Sequence, residues 1–365
     1  MALNATGAIS LAGTTAGQSI ELELGGDGTT TISLNDTTVR GLAGIASGAV
    51  ALGNFYGKIS STVVNIPINV DTTNYTLNPA AVTGYLAGKT IVNLTIGTNI
   101  YLYATSTVNA ALTISGFTAG DTINIINNGY IMGMGGDGAS FNANGGVGGP
   151  AISLGFKVNI TNNRYIAGGG GGGGGFQATS TSIFGYSGGG GAGGGSGGTG
   201  SFSAGTTGGA GGSPGVAGAD AAYSLNTVQS ICVAGGGGGR ILPGVGGASA
   251  TTATAIYSGL TLWINGKGGG AGGSGCAAAT GPNTATSGAG GAAGGAGGNG
   301  ATTGLGNATG GGGGWGSAGG SCTFNAPTTV TNIIIRTPGT GGNAIALNGF
   351  TVTYTTQGTI YGAVA

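Results

Sequence analysis

The sequence predicts a mainly β protein joined to a polyglycine II helix bundle, with little α-helix. Three observations carry this. Glycine supplies 93 of 365 residues, about a quarter against a usual ~7%. Charged residues make up only 4% and the formal net charge is zero, against a usual charged share of ~25%. Several glycine tracts keep a period of three, while the remaining stretches are rich in Val, Ile, Thr and Tyr, as strands are.

Residues 1–60 are the least glycine-rich and read as a small module. Ala8-Ile9-Ser10-Leu11, Ser19 to Leu24 and Thr30 to Leu34 alternate in the manner of short half-buried strands. Asn35 or Asp36 can cap one short helix running through Arg40. Residues 61–132 form a β-rich connector, with strands expected at Thr90 to Ile96, Asn99 to Tyr103 and Ala111 to Ile114. A phrase recurs along the chain: Ile123-Asn-Ile-Ile-Asn-Asn-Gly-Tyr-Ile131, then Val158-Asn-Ile-Thr-Asn-Asn-Arg-Tyr-Ile166, then Val352 to Ile360. It reads as a repeated strand–turn–strand unit whose irregular spacing excludes a uniform solenoid. Residues 343–365 close the chain as a strand unit.

Residues 133–342 hold the glycine tracts. Gly188, Gly191, Gly194, Gly197 and Gly200 share one register, as do Gly288, Gly291, Gly294, Gly297 and Gly300. Three residues per turn is the repeat of the left-handed polyproline II helix, which has no internal hydrogen bonds. Buried backbone groups must still pair, and parallel glycine rods can pair with one another because no Cβ holds them apart. Collagen needs long Gly-X-Y runs rich in proline; here 8 prolines serve the whole chain. A flexible glycine linker is the plain alternative, but the mean hydropathy of +0.29 opposes the polar character of disordered chains.

Aromatic residues interrupt the tracts. Phe176, Phe184 and Tyr186 lie in one loop, Phe202 in a second and Tyr257 in a third. Loops gathered at one end of a rod bundle would make a recognition surface, since aromatics dominate binding hot spots. Phe176, Phe184, Tyr186, Phe202 and Tyr257 are therefore the candidate receptor-binding residues. The competing reading is that such side chains plug the bundle; for Trp263, in the apolar run Leu260 to Ile264, a core position is favoured.

Catalytic chemistry has little to work with. There is no histidine, the commonest general base and a common metal ligand. Glu21 and Glu23 are expected on the solvated face of a strand. Gly135-Gly-Asp-Gly138 lacks the repeated aspartates of a calcium-binding nonapeptide array, and Gly266-Lys267 lacks P-loop spacing. No catalytic residue, cofactor or metal is expected. The three cysteines Cys232, Cys276 and Cys322 form no C-x-x-C pair. Eight scattered Lys/Arg give no nucleic-acid footprint. No apolar run spans a bilayer, and the first basic residue is Arg40, so no secretory signal is expected.

Ser10 to Leu24, Ile32 to Asp36 and Asn54 to Lys58 together resemble an N-terminal module of phage structural proteins. Asn127-Asn-Gly-Tyr-Ile-Met-Gly-Met-Gly-Gly-Asp-Gly138 and Gly342 to Val352 resemble glycine-rich phage tail-fibre proteins, and the tracts are similar to the polyglycine sandwich of tail-fibre adhesins. The resemblance implies a virion tail component, made in the host cytoplasm, that mediates attachment through loops displayed on a glycine bundle. It implies as partners other tail or baseplate proteins, met through residues 1–60, and a bacterial surface protein or glycan, with a homotrimer as one assembly. The alternatives are a purely structural tail or capsid decoration, a bacterial glycine-rich surface protein, whose repeats Gly294 to Asn299 resemble, and an ice-binding protein.

Overall fold

The computed structural model describes residues 2–140, 142–179, 183–199, 207–221, 232–249, 261–264, 266–280, 284–303, 306–325 and 331–365. It is mainly β, with two short α-helices, α1 (Ile20–Glu23) and α2 (Thr37–Ala43), among the described residues. The chain divides into two compact units. The first comprises Met1–Ile66, Asn78–Leu94 and Gly116–Asn124; the second comprises Pro67–Leu77, Thr95–Ser115 and Ile125–Ala365.

The first unit has its own apolar centre, where Leu3, Ile20, Val39, Leu42, Ala43 and Phe55 are buried together. Asp36 is the N-cap residue of α2, and Gly44 closes the helix at φ 76°, a left-handed conformation that glycine adopts without steric penalty. Ser10 bridges Ser19, but the expected strands at 8–11, 19–24 and 30–34 are absent. Ile20–Glu23 is instead one helical turn, with the Ser19 hydroxyl accepting the Leu22 N–H at 3.2 Å.

Glu21 and Glu23 are likewise not solvated. They are 3% and 6% exposed. Glu21 accepts the Gly28 N–H, and Glu23 accepts the Ser60 N–H at 2.8 Å. A run of five alternating residues fits a strand, whereas a single turn is too short to display helical period. Hydrogen bonding of the carboxylates then decides the conformation.

Asp121 is the other buried carboxylate of this unit, at 1% exposure. Its Oδ2 accepts Tyr85 Oη at 2.7 Å and Thr118 N at 2.9 Å, and its Oδ1 accepts Thr90 N at 3.1 Å. Burial alone would raise its pKa. The hydrogen bonds from Tyr85, Thr118, Thr90 and Gly88 outweigh that and hold it below the ordinary 3.8.

The strands wind in successive coils. The first coil contains β1 (Thr62–Ile68), β2 (Thr72–Thr73) and β3 (Tyr75–Leu77); the second β4 (Thr90–Ile96), β5 (Tyr101–Tyr103) and β6 (Leu112–Ile114); the third β7 (Thr122–Asn127), β8 (Tyr130–Met132) and β9 (Ile152–Leu154). The fourth begins with β10 (Val158–Asn162) and β11 (Tyr165–Ala167). The chain then enters the glycine tracts, which carry β12 (Gly175–Thr179), β13 (Ile183–Tyr186), β14 (Cys232–Val233), β15 (Thr261–Ile264) and β16 (Ala277–Thr280). Further along they carry β17 (Thr284–Thr286), β18 (Ala301–Thr303), β19 (Gly306–Ala308), β20 (Thr323–Asn325) and β21 (Thr331–Arg336). It returns in β22 (Ile345–Ala346), β23 (Val352–Thr356) and β24 (Thr359–Tyr361).

Three sheets follow this winding, in the orders β1-β4-β7-β10-β23, β2-β5-β8-β11-β24 and β3-β6-β9-β22. The recurring phrase is the register of the stack: Ile131, Ile166 and Ile360 are partners in parallel strands, and Val158 faces Val352. Asn162 continues the repeat as a ladder, since its Oδ1 accepts Asn127 Nδ2 at 2.8 Å while its own amide donates to Gln357 O at 2.7 Å. The coils therefore stack regularly although their spacing in sequence is irregular. The irregularity arises because both glycine-rich excursions, 133–151 and 168–344, leave at one corner, between the second and third sheets.

Residues 168–174 show how the tracts are held. Gly169 and Gly172 donate to Gly149 and Gly146; Gly170 and Gly173 donate to Ala192 and Gly189; Gly171 and Gly174 donate to Ser317 and Gly320. Every third N–H thus goes to the same neighbour. The carbonyls repeat the pattern toward three further segments: Gly168, Gly171 and Gly174 accept from Gly316, Gly313 and Gly310; Gly169 and Gly172 from Gly342 and Gly339; Gly170 and Gly173 from Gly136 and Ala139. With Gly168 donating to Tyr361 O, every backbone donor and acceptor of the seven residues is paired. A Cβ on Gly172 would collide with the Asp137 carbonyl, and one on Gly170 with Gly313 O.

Gly172→Ala should therefore destabilise the protein by about 3 kcal/mol or prevent folding. Gly41→Ala, in α2 with open space around it, should stabilise by about 0.5–1 kcal/mol; thermal unfolding of both variants reads the contrast. Because the folded pKa of Asp121 is depressed, its contribution is present above pH ~4 and lost as pH falls through the folded value. Asp121→Asn should flatten the acid limb of a melting-temperature series below that pH.

Candidate recognition surface

Hairpins and short sheets rise from the ends of the glycine tracts. In one sheet the order is β14-β13-β12-β21. β12 and β13 run antiparallel with Phe176 opposite Tyr186 and Ala178 opposite Phe184, and β21 lies along the far side of β12 with Ile335 opposite Phe176. The hairpin is rooted where Gly174 N donates to Gly320 O at 2.8 Å. A second sheet has the order β15-β16-β19-β20, and β17 and β18 form a two-stranded ribbon.

The five candidate residues fare differently. Phe176 is fully buried, its ring centroid 4.6 Å from that of Phe324. It is a packing residue of the hairpin's first strand, which corrects its reading as a solvent-facing contact: its ring is covered by Phe324 and not open to a partner. Phe184 and Tyr186 occupy β13. Phe202 and Tyr257 fall outside the described residues.

A cluster that sequence reasoning missed supports the tracts. Trp315 is fully buried with Met132, Ala167, Ala192, Leu242 and Ala271, and its Nε1 donates to Ile241 O at 2.9 Å. Four tyrosines pile against this cluster. Tyr101 and Tyr130 stack at 4.7 Å, Tyr130 and Tyr165 at 5.8 Å, and Tyr165 and Tyr361 at 6.3 Å. The recurring phrase contained the signal for Tyr130 and Tyr165, which hold the same position in its first two copies. Burial, then the neighbouring Tyr130 and Asp71, raise the pKa of Tyr101.

Arg240 is 7% exposed without a carboxylate on it among the described residues. Its Nε donates to Gly193 O at 2.9 Å and its Nη2 to Ala104 O at 3.1 Å and Met134 Sδ at 2.8 Å. The guanidinium lies 4.8 Å over the Tyr103 ring, a cation–π contact that offsets part of its desolvation. Burial pulls its pKa down, and Tyr103 pushes back. Cys322 is pushed up to about 11 by burial, which leaves the thiol protonated and unreactive at neutral pH. Among the described residues no group of three or more potential ligands could hold a metal ion.

This arrangement offers buried packing and displayed strands rather than acid–base machinery. Residues 63–230 match the family model of the phage tail fibre adhesin Gp38. Over that stretch, just under half of its length, the chain is similar to a phage tail fibre adhesin. Such an adhesin is a binding protein and a component of the virion tail, not an enzyme. Among solved structures, the chain is similar to the gp37-gp38 adhesin tip complex of the bacteriophage S16 long tail fibre, with 16% identity, 98% of this chain and 100% of that chain covered, and a TM-score of 0.43. No curated protein matches the sequence. Among the described residues, no helix is long and apolar enough to cross a membrane.

Arg240→Ala should leave the Ala104 carbonyl without its donor and Gly193 O with the Gly135 N–H alone, lowering stability by about 1–3 kcal/mol, measured by denaturant unfolding, with Arg240→Lys recovering only part.

Proposed function

We propose that the glycine tracts of this tail-fibre adhesin are polyglycine II helices, and that the segments between them contact a receptor on the host cell. The observation that carries the first part is the cycling of donors and acceptors of residues 168–174 among six neighbours with a period of three. A left-handed helix of three residues per turn presents its backbone groups in those directions. Rods bonded on all sides are stiff, so a segment leaving the bundle has its root fixed. That reduces the ordering entropy of recognition.

The contact segments in this reading are 176–187, 201–207 and 248–267, with Phe184, Tyr186, Phe202 and Tyr257 as the aromatic contacts and Phe176 anchoring the first from below. The receptor is a bacterial surface protein or glycan. Residues 1–60, with a separate apolar centre, would join the adhesin to other tail proteins, and 343–365 would close the coils begun at 61–132 by laying β23 and β24 on β10 and β11.

Replacing residues 178–186 with a Gly/Ser linker, leaving Phe176 in place, should abolish binding of the purified chain to host cells by at least about tenfold while its melting temperature holds. Undiminished binding would remove this segment from the contact surface.

A further inference from the structure

We infer that the second unit carries a saccharide-binding cleft built around Asp137. The cleft has a volume of about 440 Å³, and Thr107, Asp137, Asn144, Val147, Ser196 and Thr199 stand along it over a glycine floor. That volume lies within the ~300–1,000 Å³ usual for small-ligand sites.

The floor has little left to donate. Gly138 N is bonded to Ser196 O and Gly197 N to Gly209 O, each at 2.8 Å. Recognition therefore falls to the rim. Asp137 Oδ1 accepts the Ser196 N–H at 2.8 Å, which fixes the carboxylate and leaves Oδ2 without a partner among the described residues. Asn144 Oδ1 accepts Thr337 N at 3.2 Å, which orients its amide and leaves Nδ2 to donate. Thr107, Ser196 and Thr199 are exposed, and their hydroxyls both donate and accept. Val147, 56% exposed, adds an apolar contact.

The chemistry selects the ligand class. Among the described residues no Lys or Arg lines the cleft, so they offer no cation to a phosphate or carboxylate. One carboxylate without further acidic ligands does not hold a divalent cation. A fixed carboxylate that accepts paired hydroxyl donors, an amide and hydroxyls that serve ring and hydroxyl oxygens, and one apolar side chain for a C–H face suit a neutral sugar. The glycine floor lets the ring approach the backbone closely. This inference rests on other residues than the receptor-contact reading above: no described residue of 176–187, 201–207 or 248–267 lines the cleft.

The test is an NMR titration of the full ¹⁵N-labelled chain with glucose, galactose and N-acetylglucosamine, and separately with lysine amide. At least one sugar should shift the amides of Asp137, Gly138, Ser196 and Gly197 with a dissociation constant on the order of 1 mM. Asp137→Asn keeps an acceptor for Ser196 N and so preserves the fold, checked by unchanged shifts elsewhere, yet should weaken binding about tenfold or more. The chain with 178–186 replaced should bind the sugar as before, whatever happens to cell attachment. Absence of shifts with all three sugars, equal affinity in Asp137→Asn, or shifts with lysine amide alone would overturn the inference.

Discussion

The second unit depends on backbone hydrogen bonding between extended glycine segments that no side chain keeps apart. Each such bond contributes about 1 kcal/mol net, of the same order as the backbone entropy lost in ordering one residue, and glycine loses the most. Two segments side by side would be marginal. Residues 168–174 escape this because each residue both donates and accepts, so that six neighbours share the ordering. The same arithmetic makes the unit cooperative, and it explains why a single added methyl group at Gly172 has nowhere to go.

The coils supply what the glycine segments lack, namely side chains that bury apolar surface. β4 alternates buried and half-buried residues along its length, and the tyrosine pile with Trp315 gives the glycine segments an apolar surface to rest against. Arg240 ties three such elements together through the carbonyls of Gly193 and Ala104 and the ring of Tyr103. A cation is tolerated there because carbonyl dipoles and a π-face replace its water.

Much of this was legible in the sequence, and the rest was hidden for physical reasons. The Asn-Asn-X-Tyr-Ile phrase announced a repeated strand–turn–strand unit, although not that its copies would pair with one another in register. The helix that begins after Asp36 was visible too. Ile20–Glu23 was not, because a single turn cannot express its period and the deciding bonds from Gly28 and Ser60 are made by distant backbone. Phe176 was misplaced because it follows directly on glycine in sequence, while its neighbour in space, Phe324, is distant in the chain. Arg240 and Trp315 each border glycines in sequence, where nothing signals that one is buried against carbonyls and a Tyr103 ring and the other in an apolar cluster.

Amide hydrogen exchange at residues 168–174 tests the central claim most directly. If backbone pairing in all directions sustains the unit, these amides exchange only through global unfolding, with protection matching the stability found by denaturant and equal across all seven. Exchange at the rate of an unstructured glycine chain, or protection confined to alternate residues as on the edge of a sheet, would contradict it.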